Sequence, residues 1–137
     1  MIKILLTLLI GLSSTFFTNG ATAQNQPLAC QVDKNAGLAW ENGQLITKTF
    51  IPFASKFILV QAGNTLTTDS VAKVLRTSAG VSCRYPGNSI ECTDTSGGAL
   101  YFDPKTLKGG VAQLLGSTEE GNRRDSVTVQ VFSCTPF

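Results

Sequence analysis

Four cysteines, Cys30, Cys83, Cys92 and Cys134, constrain this 137-residue chain more than any other feature. What they can do depends on the compartment in which the chain folds, and the amino terminus bears on that. Lys3 supplies a positive start, residues 4–17 are almost wholly apolar, and Ala21-Thr22-Ala23 puts small residues where a signal peptidase cuts, just before Gln24. A charged start, a short apolar run and an A-x-A site make a secretory signal peptide. Gly11, Ser13 and Ser14 interrupt the run, and a bilayer span takes about 20 apolar residues. Residues 1–23 are therefore expected to be removed, leaving residues 24–137 as one exported domain, periplasmic or secreted, with no membrane span. Leu28-Ala29-Cys30 has the look of a lipobox end. However, Pro27 stands where an aliphatic residue is needed, and Cys30 lies too far past the apolar run to be acylated.

In an oxidising compartment an even number of cysteines reads as two disulfides, and four cysteines allow three connectivities. Strand logic favours one of them. Residues 81–85 and 90–93 both alternate, and Pro86-Gly87-Asn88-Ser89 between them is turn chemistry. Closing that hairpin on a four-residue loop sets Tyr85 opposite Ile90, Arg84 opposite Glu91 and Cys83 opposite Cys92. One register thus satisfies an apolar pair, a charge pair and a thiol pair, at a strand spacing that a disulfide accepts. Cys30 and Cys134 remain to tie the two ends of the domain. No C-x-x-C spacing is present, and with no histidine a structural zinc would need all four thiolates from distant positions.

Eleven Lys and Arg face nine Asp and Glu, and one of those cations, Lys3, belongs to the leader. Such a balance does not supply the basic surface that nucleic acid demands. Histidine is absent, which excludes Ser-His-Asp and Cys-His nucleophile pairs and the usual imidazole metal ligands. Neither a cofactor nor a metal ion is expected. Only 15% of residues are charged, which together with many Gly, Ser and Thr suits a β-rich exported domain.

Further strands are expected over residues 28–32, 37–40 and 45–50, with Asn42-Gly43 turning a hairpin between the last two. Residues 56–62 are nearly continuously apolar and read as a strand covered on both faces. One helix is expected over residues 68–76, capped by Thr67 or Thr68, with Asp69 in its first turn and Val71, Val74 and Leu75 at helical spacing. Strands follow over residues 99–103, 111–115 and 126–134, the last with Val127, Val129 and Val131 on one face. The charged segment 117–124 reads as a solvated loop. Short strands with turn signals every 8–12 residues indicate a mainly β fold, a small antiparallel sandwich or barrel.

No residue stands out as catalytic. Trp40, the only tryptophan, and the pair Tyr101 and Asp103 on one strand face are the candidate binding surface. Glu91, Asp94 and Asp103 are the carboxylates a hydrolase would draw on, and a glycosidase would need two of them about 5–10 Å apart.

The series Cys83, Cys92, Gly97-Gly98, Phe102-Asp103-Pro104, Thr106, Gly109-Gly110, Leu115-Gly116, Arg124-Asp125 and Phe132-Ser133-Cys134 resembles small exported proteins of Gram-negative bacteria that have no assigned activity. The likeness covers the C-terminal half and implies an envelope or periplasmic setting, with no catalytic residue. A looser similarity is to periplasmic inhibitors of c-type lysozyme, small β-barrels whose contact loop carries Ser-Gly-x-x-Tyr; here Tyr101 falls one residue late after Ser96-Gly97. Export, small size, disulfides and the lack of histidine favour a non-catalytic binding or inhibitory module for an unidentified protein or small ligand of the periplasm. A carboxylate-dependent hydrolase and a structural component of the envelope are the alternatives.

Overall fold

In the computed structural model, which describes residues 25–52, 54–78, 80–114 and 126–137, strand β1 (Asn25–Glu41) is the spine of the fold. The expected leader over residues 1–23 and the loop over residues 117–124 lie outside the described residues. Along one edge β1 pairs antiparallel with β9 (Ser126–Pro136). Along the other it pairs first with β3 (Lys56–Ala62) and then with β2 (Gln44–Lys48). The strands expected over residues 28–32 and 37–40 are therefore one strand. Its register against β9 shifts between Val32 and Lys34, so Asp33 is the extra residue of a β-bulge. The Ser133 hydroxyl donates to Asp33 Oδ1 at 3.0 Å and holds that bulge. Without it, the inward positions Cys30 and Val32 could not be followed by inward Asn35 and Gly37.

The rest is a meander: β5 (Val81–Arg84), β6 (Ile90–Asp94), β7 (Gly98–Asp103), β8 (Lys108–Gln113) and then β9. With β4 (Thr65–Leu66) at the far edge, the strand order is β4-β3-β1-β9-β8-β7-β6-β5, with β2 paired to β1 alone, and the sheet curls into a nearly closed barrel. Of the two architectures open to the sequence, the barrel is the one formed. Its seam lies between β4 and β5, where strand pairing is replaced by other contacts. Helix α1 (Thr68–Leu75), the one helix among the described residues, packs against β3 on one side of the seam and β5, β6 and β7 on the other. The Tyr85 hydroxyl also bonds to Thr65 Oγ1 across the seam.

Local chemistry accounts for most of these elements. Asn42 and Gly43 take φ of 52° and 77°, the positive pair that a tight I′-type hairpin between β1 and β2 needs. Helix α1 buries Ser70, Val71 and Leu75 and ends on Arg76, whose φ of 56° is left-handed. Thr67 occupies the N-cap position as expected, but its side chain caps no backbone N–H. Its hydroxyl donates instead to Ser70 Oγ at 3.0 Å, and Ser70 Oγ accepts the Val60 N–H at 3.2 Å. The threonine is spent on docking the helix to β3.

The interior is built from Leu28, Leu59, Val71, Ile90, Leu100, Phe102 and Phe132, with both disulfides among them. Cys30–Cys134 and Cys83–Cys92 are formed as the strand logic anticipates, and Cys83 and Arg84 stand opposite Cys92 and Glu91. One member of that register fails. Strand β5 stops at Arg84, so Tyr85 leaves the ladder for the seam while Ile90 is buried alone. A second expectation also needs correcting. Strand β3 is not covered on both faces, because Leu59 is buried while Ile58 between it and half-buried Phe57 points outward and is 52% exposed.

Candidate functional site

Two surfaces of the barrel wall are candidates, and β9 separates them. On its inward side stand Thr128, Gln130 and Phe132, in register with Gln113, Val111 and Gly109 of β8, and then Cys134, opposite Cys30 of β1. On its outward side stand Val127, Val129 and Val131. The valine face expected from the sequence therefore exists, but it is turned away from the core: Val129 is 49% and Val131 45% exposed. The inward positions at the same end carry hydroxyl and amide groups. Strands covered on one side ordinarily put apolar residues inward and polar ones outward. In this half of β9 the pattern is reversed.

Register extends the outward valines into a sheet face. Tyr101 of β7 stands beside Gly110 of β8, then Val131 of β9 and Lys34 of β1. In the next outward row stand Ala99, Ala112, Val129 and Ala36. Leu38 stands beside Val127, and Trp40 beside Leu45 on β2. The two aromatic residues named from the sequence, Trp40 and Tyr101, thus lie on the same outer face. Tyr101 is 49% and Leu38 37% exposed, and the small residues between them keep the surface shallow. An exposed apolar area that is continuous across four strands is the kind that marks an interaction surface rather than ordinary scatter.

Asp103, the third residue named from the sequence, does different work. Its Oδ1 accepts the Lys105 N–H at 2.8 Å, and its Oδ2 accepts the Thr106 hydroxyl at 2.9 Å. It fixes the turn between β7 and β8. These bonds, the Lys105 N–H first and the Thr106 hydroxyl next, hold its carboxyl below the ordinary aspartate range. Asp94 does the same for the β6–β7 turn, accepting the Ser96 N–H at 2.9 Å, the Ser96 hydroxyl at 2.8 Å and the Gly98 N–H at 2.7 Å. Partial burial pushes its carboxyl up, but the hydrogen bonds from Gly98, Ser96 and Thr77 together outweigh that and bring it down.

Such carboxylates make poor general acids, which need a raised pKa. The two are also distant, since Asp94 sits against Gly98 at one end of β7 and Asp103 ends the strand roughly 17 Å away at about 3.3 Å per residue. Glu91 stands diagonally to Asp103 on the outer face, and its carboxylate is held by Arg84, with Nη2 at 2.6 Å and Nε at 2.7 Å from Oε2. Both carboxylates of that diagonal pair are already engaged, Glu91 by Arg84 and Asp103 by its turn. Ser96 and Gly97 lie in the turn before β7 and Tyr101 in the body of that strand, so the three do not form a single contact loop.

A pH effect follows from Asp94. Its native pKa lies below its unfolded value near 3.9, so its bonds stabilise the fold fully above that value and are lost as pH falls through the native pKa. Replacing Asp94 with Ala should cost about 1 kcal/mol at neutral pH, the value of a hydrogen-bonded turn anchor. The gap between wild type and variant should close below about pH 4. Urea unfolding at pH 7 and at pH 3 measures both values.

The missed signal is the cavity on the inward side. A space of about 270 Å³ lies between α1, the segment carrying Phe50 and Ile51, and the polar stretch of the barrel wall. Gln113, Thr128 and Gln130 alternate with apolar neighbours in the sequence, and nothing in that alternation says that they point inward. Among the described residues no group of three or more His, Cys, Asp or Glu is placed to hold a metal ion, and no helix is long and apolar enough to cross a membrane. Comparison of the chain with protein-family models, curated proteins and solved structures finds no match.

Proposed function

We propose that this protein is a non-catalytic binding or inhibitory module of the bacterial envelope, working in the periplasm or outside the cell, and that its partner is another protein. The observation that carries this reading is the outward apolar face of β7, β8, β9 and β1, with Tyr101, Val129, Val131 and Leu38 half exposed on it. An open trough of about 450 Å³ runs over this face between Tyr101, Ala112 and Val129, and the face matches the apolar centre of a protein–protein contact, in which tyrosine and tryptophan are enriched. Two disulfides suit an oxidising compartment. The leader pattern and the resemblance to small exported Gram-negative proteins support the same setting. Asp94, Asp103 and Glu91, the carboxylates a hydrolase would draw on, are engaged in turns and an ion pair, which favours the binding reading.

Immobilised wild-type protein and two variants, Val129→Glu and Tyr101→Glu, would be exposed to envelope extract. Both substitutions sit on the outer face and should leave the melting temperature within a few degrees of wild type. The reading expects one identified protein retained by wild type at micromolar concentration and lost by at least tenfold from both variants, the loss expected when a central contact worth about 1.4 kcal/mol or more is removed. Retention of nothing, or equal retention by Val129→Glu, would overturn it. So would sedimentation showing that the face is covered by a second copy of the chain.

A further inference from the structure

We infer that the outer edge of β2 is a self-association site, at which β2 of one copy pairs antiparallel with β2 of a second copy. The inference goes beyond the proposed function, since it concerns a strand edge and not the outer face. It starts from the backbone. Glu41 and Gln44 flank the two-residue turn Asn42-Gly43, so they exchange both N–H···O bonds, and along the hairpin such bonded pairs alternate with unbonded ones. Gln44, Ile46 and Lys48 thus spend their N–H and C=O groups on Glu41, Ala39 and Gly37 of β1. The N–H and C=O of Leu45 and Thr47 point the other way, to a side on which β2 has no strand partner among the described residues. Backbone groups left at ladder spacing are a template for one kind of occupant, another extended chain.

Elsewhere the fold closes its edges. On β3 the Val60 N–H donates to Ser70 Oγ at 3.2 Å, and the Val60 carbonyl accepts the Thr67 N–H at 2.8 Å, so α1 covers that edge. Strand β5 meets α1 across the seam, where Tyr85 reaches Thr65. The five residues of β2 lack the usual protection of an open edge: they include no proline and no bulge, and their one lysine, Lys48, stands at the very end. Leu45 on this strand is 41% exposed.

The strand's own sequence selects a second copy as the occupant. With Ile46 opposite the partner's Ile46, Leu45 stands opposite the partner's Thr47 and Thr47 opposite the partner's Leu45, so every free group of both edges is matched. A one-residue slip sets free groups opposite spent ones, and a two-residue slip carries Leu45 or Thr47 past the end of the strand. The side chains agree with this register. Leu45 and Thr47 share the outer side with Trp40 and Leu38, and the pairing continues that row into the partner's Thr47 and the partner's Leu38. Ile46 meets the partner's Ile46 at an unbonded position, where side chains come closest. Lys48 falls opposite the partner's Gln44, with the partner's Glu41 next on the same face, the residue type it already pairs with at 3.6 Å in its own hairpin. No like charges are opposed. A two-fold axis through Ile46 closes the assembly at two copies, sets the two outer faces side by side and covers neither. An edge of five residues falls well short of the roughly 800 Å² per partner of a standard interface, so the dimer is a weak one, with a dissociation constant on the order of 0.1 mM.

Sedimentation equilibrium of the oxidised, disulfide-intact protein from about 0.01 to 1 mM, a range that brackets that constant, should show monomer passing to dimer. Thr47→Pro removes a free-edge N–H without touching a bond to β1. It should weaken the dimer at least tenfold and keep the melting temperature within a few degrees of wild type. Tyr101→Glu, on the outer face, should leave the dimer unchanged, which separates a failure of this inference from a failure of the proposed function. Under air oxidation Ile46→Cys should give a covalent dimer and Gln44→Cys should not, because the two copies of position 44 lie about 13 Å apart along the strands. Monomer throughout the range, a dimer indifferent to Thr47→Pro, or equal cross-linking of the two cysteine variants would each overturn the inference. A dimer lost in Tyr101→Glu would overturn it too, by moving the contact to the outer face. If Thr47→Pro fails to fold, the contrast between the two cysteine variants decides alone.

Discussion

Replacing Cys30 and Cys134 together with Ala should lower the free energy of unfolding by about 4–5 kcal/mol, and replacing Cys83 and Cys92 together by about 2–3 kcal/mol. The difference comes from the length of chain each bridge closes, 104 residues against 9. In the chain-entropy account the longer loop removes more freedom from the unfolded state. The long bridge joins β1 to β9 at a point where the two strands are already in register, Cys30 opposite Cys134. Its loss therefore leaves the native pairing intact and acts through the unfolded chain. Guanidinium unfolding of the two double variants beside wild type measures both values. If the short bridge proves the costlier, strain or packing around Cys92 would outweigh chain entropy.

The second large effect is expected at Phe132. Its side chain is 1% exposed, its ring stands edge-on to Phe57 at 5.0 Å between centroids, and it stacks nearly parallel to Phe102 at 6.3 Å. Truncating it to Ala should cost about 3–5 kcal/mol, the transfer term plus the cavity left behind. The site also explains a glycine. A Cβ at Gly109 would run into the Phe132 ring and into the Tyr101 carbonyl, so Gly109→Ala should be destabilising by about 1–3 kcal/mol through overpacking. The two substitutions should combine to less than their sum, because removing the ring relieves part of the clash. The carbonyl contact remains, so relief should be incomplete. A thermal or chemical unfolding cycle of the four proteins checks both claims.

Much of this fold is legible in the residues alone. The register of the Cys83–Cys92 hairpin follows from three side-chain pairs that agree, and two of them form as expected. Asn42-Gly43 marks its turn, and the helix lies one residue short of its expected end because Arg76 has already turned left-handed. What could not be read is which side of a strand is inside. Val127, Val129 and Val131 alternate cleanly, yet the neighbours that would cover them are set by the closure of the barrel, which is a long-range property. For the same reason Gln113, Thr128 and Gln130 gave no sign of facing a cavity. The bulge at Asp33 was hidden too, since a single inserted residue breaks the alternation and makes one strand look like two. Of the residues named in advance for binding, Trp40 and Tyr101 do share a face, whereas Asp103 belongs to a turn.

The bond between the first and last strands has a mechanical consequence. Cys30 in β1 is bridged directly to Cys134 in β9, so tension applied to the chain on either side of the bridge passes through sulfur and bypasses the strands between. Stretched in an optical trap without reductant, the protein should lengthen only by residues outside the bridge, with residues 31–133 carrying no tension. A single proteolytic nick between Cys30 and Cys134 would likewise leave one covalent particle. The barrel would stay in one piece after the first cut.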